Sequence, residues 1–504
     1  MAKFESKGYS NKIKTPMLRP WKTIFNISFN SDQTLVEQIT NVIRKEIIKG
    51  RLERGAPLPG TRILADDIGV NRKTVVFAYE ALIEEGWLES KYKSGTFVSE
   101  NLPLIEKQQP AVQKKAATFE HIHYNPFYLT DRTLEGSRIV FNEGAPDTRL
   151  VPLKELSRAY KRIFQRKGKW GLLGYSSEKG DHKLREMLSL MLSRDRGLNV
   201  NPETICVTRG SQMAIYLVAK VLIKSGDTVV VENPSYYAVQ KIFRETGAIL
   251  KTVEIDNDGI NIEELEALCL KTRIKAVYVT PHHQFPTTIT MKAGRRIQLL
   301  ELSLKYHFAI IEDDYDHEYH FGAGNKLALA SSEKSANVIY ISSLSKLIAP
   351  AIRVGYVTGP ATFMESLVNL RVQIDRQGDT ILEHAIAELM EDGTIKRHAR
   401  KVVATYKERR DLMESCLHEN FGNAISFNKP TGGLAFWVKF NEPIDLIQYI
   451  ALLEQKGVQI VPPGSFYINN QSSNSLRLGY GSLNKEELTE GLKIMGAVYK
   501  ELNS

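Results

Sequence analysis

The sequence predicts an α/β fold: a mostly parallel sheet with flanking helices and a smaller α/β subdomain, preceded by a small unit of three helices and a β-hairpin. Three observations carry this. From about residue 138 onward, short apolar runs alternate with helical stretches, the pattern of a parallel sheet covered on both faces. Before residue 100, amphipathic segments punctuated by Gly and Pro lead into two short alternating runs. Between them, at least residues 100–117 are rich in Pro, Gln, Lys and Ala with little periodicity, the composition of a linker. The expected division is therefore 30–100, a linker over 101–137, and 138–504, with a loosely ordered arm over 1–30.

A chain of 504 residues is too long for one core, and 42% hydrophobic with 25% charged residues is ordinary for a soluble globular protein. No apolar run approaches the ~20 residues that cross a bilayer. Met1 to Lys22 is basic and polar without an apolar centre, so it does not read as a secretory signal, and a cytoplasmic location is expected. Cys206, Cys269 and Cys416 are scattered without a CxxC pair, which argues against a disulfide framework or a structural zinc site. The net charge is +9; residues 1–100 hold 16 basic and 12 acidic residues, or +4, leaving +5 for the rest. That excess is modest, so a nucleic-acid reading rests on pattern.

In order along the N-terminal unit, Leu35, Ile39, Val42, Ile43, Ile47 and Ile48 fall at helical spacing over 34–49, and Gly50 stops the run. Pro57, Pro59 and Gly60 make a turn. A short helix fits Thr61–Ile68, with Thr61 as its cap and Gly69 as its break. A third fits Arg72–Glu85, capped by Asn71. Trp87–Glu89 and Thr96–Val98 alternate as strands around a polar turn, Lys91–Gly95. Helix, turn, helix and hairpin make a winged helix-turn-helix, whose second motif helix enters the major groove of duplex DNA. That helix opens Asn71-Arg72-Lys73-Thr74: Arg suits guanine, Lys and Thr suit phosphates or bases. Lys91, Lys93 and Gly95 of the wing suit a phosphate or minor-groove contact. Residues 32–99 resemble the GntR family of regulators, through Leu58-Pro59-Gly60-Thr61-Arg62, Leu64 to Val75, Glu85-Gly86-Trp87-Leu88 and Gly95-Thr96-Phe97-Val98. The resemblance implies DNA contacts from Arg62 and Arg72.

In the large unit, strands are expected at Ile205–Thr208, Thr228–Val231, Ile249–Val253, Ala276–Thr280, Phe308–Ile311 and Val338–Ile341. Helices are expected at Ser211–Ile223, Ser235–Thr246, Ile262–Leu270 and Lys292–Tyr306, and long helices followed by strands fill about 380–504. The segment Ser342 to Tyr356 sets Lys346 at a strand end beside the hydroxyls of Ser343 and Ser345, which suits an imine with an aldehyde cofactor. Ser343 and Ser345 can help hold a phosphate, and Arg353 offers a planar fork to it. Ile310 to Tyr315 is an apolar strand ending in carboxylates, and a pyridine nitrogen stays protonated beside such an anion. Val207 to Gln212 runs a strand into a helix start whose N–H groups can cradle a phosphate. The ring of Tyr236, in Glu232 to Tyr237, can stack on a cofactor. Asp313 to His320 (DDYDHEYH) holds metal-ligand residue types, but no second ligand group at proper spacing accompanies it, so no metal is expected.

Together these segments resemble the fold-type-I aminotransferases over about 138–500. The resemblance implies pyridoxal 5′-phosphate, Lys346 as its Schiff-base lysine, Asp313 beside the pyridinium nitrogen, Tyr315 at the ring hydroxyl and Tyr236 stacked on the ring. It places Gly210, Ser211, Gln212, Ser343 and Arg353 at the phosphate, with Tyr175 reaching the partner subunit's phosphate and Arg477 gripping an effector carboxylate. Asp313 is favoured over Asp314 because alternate strand residues share a face and Tyr315 then falls on the same side. His283-Gln284-Phe285-Pro286-Thr287-Thr288 departs from the family loop, which commonly ends in Gly where Thr288 stands. Phe285 occupies the place where ordinary aminotransferases bond the ring hydroxyl with Asn.

A GntR-like unit followed by an aminotransferase-like one resembles the MocR subgroup of regulators. That likeness implies a DNA-binding transcription regulator sensing an amine, an amino acid or the cofactor itself, as a head-to-tail homodimer on paired half-sites. Binding or a half-reaction is expected rather than efficient turnover; an active aminotransferase with an accessory DNA-binding domain is the alternative.

Overall fold

The computed structural model describes residues 33–103, 139–166, 169–322, 327–468 and 473–503. The arm over 1–30 and most of the linker over 101–137 lie outside them. The chain divides into two compact units, Met1–Leu129 and Thr130–Ser504.

In the first unit, α1 (Leu35–Ile48) begins at Thr34, whose hydroxyl accepts from the Glu37 amide while Glu37 reaches back to the Thr34 amide. This capping box satisfies two of the helix's orphan donors. Ile39, Ile43 and Ile47 share one face and pack with Val75, Ala78, Tyr79 and Leu82 of α3 (Arg72–Glu84). The short α2 (Thr61–Ile68) completes the bundle through Leu64 and Ala65. Its cap is Gly60 rather than Thr61, which lies inside the helix; the Thr61 hydroxyl instead accepts from Arg72 Nε at 3.5 Å. Gly69 ends α2 at φ 71°, a conformation costly for any residue with a Cβ. Asn71 Oδ1 accepts from the Lys73 amide at 2.9 Å and caps α3, and Glu85 closes that helix as its C-terminal cap. β1 (Leu88–Lys91) and β2 (Gly95–Val98) pair antiparallel, with buried Leu88 opposite buried Val98.

The second unit is built on an eight-stranded sheet ordered β4-β11-β10-β9-β8-β5-β6-β7. Its strands are β4 (Ile205–Thr208), β5 (Thr228–Asn233), β6 (Ile249–Asp256), β7 (Gly259–Ile260), β8 (Ile274–Val279), β9 (Ala309–Asp314), β10 (Val338–Ser343) and β11 (Gly355–Thr358). The central pairings β10·β9, β9·β8, β8·β5 and β5·β6 are parallel. The flanking β10·β11, β11·β4 and β6·β7 are antiparallel. Every residue of β5 and β10 is buried, because helices cover both faces. Among the expected helices, those observed are Ser211–Leu222, Tyr237–Glu245, Ile262–Lys271 and Ala293–Tyr306. The smaller subdomain holds a second sheet, β12 (Ile425–Phe427), β13 (Ala435–Phe440) and β15 (Ser475–Gly479), all antiparallel. It also pairs β14 (Val458–Ile460) in parallel with β3 (Ile139–Phe141), so the start of this unit is stitched into its end. Helices Thr394–Phe421 and Lys485–Leu502 share that subdomain's apolar core.

Candidate functional site

Parallel strands that stop together leave their C-terminal ends open, and α/β folds bind ligands there. In this chain the ends of β8, β9 and β10 border a cavity of about 260 Å³. Lys346 lies just beyond β10, with Nζ 4.4 Å from the centre of the Tyr315 ring. Desolvation pushes its ammonium down to about 8, against Asp316, Glu143 and Asp313, which hold it up. Asp313 closes the floor. Burial drives its carboxyl up to about 7, although Oδ2 accepts from the Tyr278 hydroxyl at 2.7 Å. Its other oxygen, Oδ1, is buried with no hydrogen-bond partner. An orphaned buried acceptor facing a cavity calls for a donor from a ligand, and a protonated ring nitrogen is such a donor. Asp314 points to the opposite side of the strand, toward His282, His317 and Tyr340.

Tyr236, Ser211, Ser343, Ser345 and Arg353 line the same cavity. Tyr236 immediately precedes helix Tyr237–Glu245 and meets Phe285 edge-on at 5.1 Å. Tyr315 donates its hydroxyl to the His283 carbonyl at 2.8 Å. Ser211 opens helix Ser211–Leu222, whose first amides face outward from Gly210 at φ 81°. A Cβ on Gly210 would come within 2.6 Å of Arg353 Nη2, and one on Gly355 within 2.5 Å of the Gly210 carbonyl carbon. The two glycines thus let a helix N-terminus, Arg353 and the β10–β11 connection converge, an anion cradle. Arg353 itself stands at φ 48° and donates to the Arg209 carbonyl at 3.2 Å. The Ser343 hydroxyl donates to the Val354 carbonyl at 3.1 Å and accepts from the Ser345 amide at 3.0 Å. Gln212 follows on the helix but does not line the cavity.

Arg477, on β15, is buried behind the wall. It donates to the Glu143 carbonyl at 2.9 Å and to that of Pro286, and lies 4.4 Å over the Phe285 ring. Tyr175 is not brought to this cavity; it is 82% exposed, with the Arg376 guanidinium 4.3 Å over its ring. Two titratable lining residues were not foreseen from the sequence. Glu143, whose carboxyl burial pushes up, follows β3 and faces Arg477 and Lys346 electrostatically. Tyr278 reaches Asp313 from the neighbouring strand. Thr288, the departure from the family loop, sits at φ 64°, the conformation for which glycine is suited.

One expectation is corrected. A second ligand group does accompany Asp313 to His320: His282, from the loop after β8, joins Asp314 and His317, their ligand atoms within 4.8 Å of one another.

In the first unit, Arg62, Asn71, Arg72, Lys73, Lys91, Lys93 and Gly95 are exposed and Thr74 is half-buried. Lys91 pairs with Glu89 at 3.0 Å, and Lys93 lies 5.2 Å over the Tyr92 ring at the hairpin tip. Cations thus crowd the start of α3 and the tip of the wing.

Comparison with known proteins agrees with both halves. Residues 138–495 match the model of aminotransferase class I and II, and residues 35–98 that of bacterial regulatory proteins of the gntR family. The probable rhizopine catabolism regulatory protein MocR of Rhizobium meliloti is 26% identical, over 94% of this chain and 96% of its own. The HTH-type transcriptional regulator TauR of Rhodobacter capsulatus is 28% identical, over 91% of this chain and 95% of its own. Among solved structures, the α-aminoadipate aminotransferase LysN of Thermus thermophilus, complexed with N-(5′-phosphopyridoxyl)-L-leucine, superposes with a TM-score of 0.69. It is 28% identical, over 73% of this chain and 94% of its own.

Proposed function

Because the chain belongs to the class I and II aminotransferase family and carries a gntR-family DNA-binding domain, we propose that it is a MocR-type transcription regulator whose large unit binds pyridoxal 5′-phosphate and an amine or amino-acid effector. The observation that carries this reading is Lys346, with its lowered ammonium, facing the orphaned Oδ1 of Asp313 across one cavity. Bound there, the cofactor would supply an aldehyde that captures amines and a ring that withdraws electrons.

Lys346 is the residue that would carry it covalently. Asp313, fixed by Tyr278, would hold a proton on the ring nitrogen. Ser211 with the amides following Gly210, Ser343, Ser345 and Arg353 would bind the phosphate, and Gln212 would support that helix start. Tyr236 would stack on the ring, while Tyr315 would face its hydroxyl. Tyr175 would complete the partner subunit's phosphate site in a head-to-tail homodimer. Arg477 would grip the effector's carboxylate. Arg62, Asn71, Arg72, Lys73, Thr74, Lys91, Lys93 and Gly95 would contact duplex DNA, two copies reading paired half-sites. Effector occupancy would alter DNA affinity by its differential affinity for the two arrangements of the dimer.

The test is an absorbance titration of the full chain with pyridoxal phosphate and then with amines and amino acids, with duplex binding followed in the same samples. Duplexes selected by the protein from a random library serve as the probe. The expected result is a visible band that is lost in Lys346→Ala, that one class of amine shifts, and whose shift tracks a change in DNA affinity. A band that persists in Lys346→Ala refutes the lysine assignment, and no band at any cofactor level refutes the cofactor reading. Sustained conversion of an amino donor and a keto acid, with DNA affinity unmoved, would instead make the chain an aminotransferase.

A further inference from the structure

On the face of β9 turned away from Lys346, we propose that His282, Asp314 and His317 form a binding site for a divalent transition-metal ion, with Zn²⁺ the best match. The three residues come from two neighbouring segments. β8 and β9 are parallel partners, Val279 beside Glu312, so the loop after β8 and the turn after β9 emerge side by side. The first carries His282, and the second continues from Asp314 to His317.

Their ligand atoms already converge. His282 Nδ1 lies 2.9 Å from Asp314 Oδ1, and His317 Nδ1 lies 3.0 Å from Asp314 Oδ2. All lie within 4.8 Å of one another, and the imidazoles meet edge-on at 4.7 Å. Tetrahedral zinc with bonds of about 2.0–2.1 Å sets its donor atoms roughly 3.3 Å apart. The two imidazoles approach different oxygens of Asp314, so a small rotation of that carboxylate and closure of the His–His edge bring one oxygen and both nitrogens to this spacing. Asp314 Oδ1 and His317 Nδ1 are buried and reach hydrogen-bonding distance within this triad, so the donor atoms face one another where an ion could sit between them.

The donor chemistry selects the metal. Two imidazoles and one carboxylate suit zinc and its transition-metal neighbours, whereas magnesium and calcium prefer oxygen alone. Arg196 approaches Asp314 Oδ2 to 3.9 Å, but its charge is matched by Glu318 at 2.5 Å. The Tyr340 hydroxyl donates to Asp314 Oδ2 at 2.5 Å and orients the carboxylate, as outer-shell partners do around metals. A separate cavity of about 630 Å³, lined by His282, His317 and Glu318, gives an ion an entry path and leaves a fourth position for water. An ion here would tie the loop that carries Phe285 to the turn that carries Tyr315.

The test uses the full chain, stripped with a chelator and dialysed. Co²⁺ binding is read from ligand-field absorption, and Zn²⁺ affinity from competition with a colorimetric chelator. One ion per chain is expected, with the intense visible bands of a low-coordinate Co²⁺ site. His317→Ser and His282→Gln should each weaken binding by more than the ~10–100-fold that follows loss of an outer-shell partner, and Lys346→Ala should leave it unchanged. Two variants on different segments guard against one failing to fold. No stoichiometric uptake by the wild type, or uptake with the same spectrum in both histidine variants, overturns the proposal.

Discussion

The lowered ammonium of Lys346 makes a kinetic prediction that separates a cofactor lysine from a surface one. Only the neutral amine attacks an aldehyde. With a pKa of about 8 against an ordinary 10.5, Lys346 is neutral in about one molecule in ten at pH 7, one in two at pH 8 and nine in ten at pH 9. An ordinary lysine is neutral in only about three molecules in ten thousand at pH 7 and three in a hundred at pH 9. Uptake of pyridoxal phosphate should therefore quicken about tenfold from pH 7 to 9 and level off; an unperturbed amine would gain roughly a hundredfold over the same range and keep climbing. Stopped-flow absorbance at a fixed excess of cofactor, corrected for the cofactor's own titration, reads the profile. Carboxylates hold the ammonium up, so Glu143→Gln should move the levelling point to lower pH. A rate that climbs through pH 9.5 without levelling, or a Glu143→Gln profile displaced upward, would refute the electrostatic picture of the cavity.

Three further outcomes follow from the geometry. Gly210→Ala sets a Cβ 2.6 Å from Arg353 Nη2 at φ 81°, and both the displaced guanidinium and about 1–3 kcal/mol of positive-φ extended-backbone strain should weaken cofactor affinity at least ~tenfold, measured by fluorescence titration. Glu232, pushed up to about 7 by burial from an ordinary 4.5, keeps its proton in the folded state after the unfolded chain has released it. Its contribution to stability is thus lost as pH rises from about 4.5 to 7, by up to ~3 kcal/mol. Glu232→Gln should flatten that part of the urea-midpoint profile between pH 5 and 8, leaving the share from Glu312, Asp313 and Glu383, also near 7; an unchanged slope would count against it. Arg72→Ala, at the exposed start of α3, should cost ~1–3 kcal/mol on selected duplexes and little on random ones, by gel shift.

Much of this was legible because each signal is local. The cap at Asn71, the break at Gly69 and the hairpin around Lys91–Gly95 lie within a few residues of the elements they shape. Strand alternation allowed only one of Asp313 and Asp314 to face the site and favoured Asp313 through Tyr315 on the same side; the structure brings Asp313 to the Lys346 cavity. Thr61 misled because a hydroxyl before a helix reads as a cap; the chain enters α2 one residue earlier, at Gly60. What stayed hidden was set by register between distant segments. Tyr278 meets Asp313 because β8 and β9 are neighbours, Glu143 arrives because β3 pairs with β14, and His282 joins Asp314 across the β8–β9 pair. No spacing within one segment encodes such meetings.

The same register constrains how an effector can act. The loop after β8 carries His282 and Phe285; the turn after β9 carries Tyr315 and His317. A ligand at Lys346 that pushes on Phe285 or Tyr315 pushes on both segments, and the backbone between them is firmly held. Gln284 donates to the Pro234 and Phe285 carbonyls, the Tyr315 hydroxyl donates to the His283 carbonyl, and His283 Nδ1 lies 2.8 Å from Asp316. Thr288 holds a left-handed conformation in the same loop, a strain of about 1–2 kcal/mol that the surrounding contacts must sustain. Packed segments of this kind respond by shifting between discrete arrangements rather than by continuous deformation. On the proposed function, an effector's signal would leave the cavity as a movement of the β8 loop against the β9 turn, and contacts that fix one to the other, the His283–Asp316 pair first, would set how much differential binding energy the movement requires.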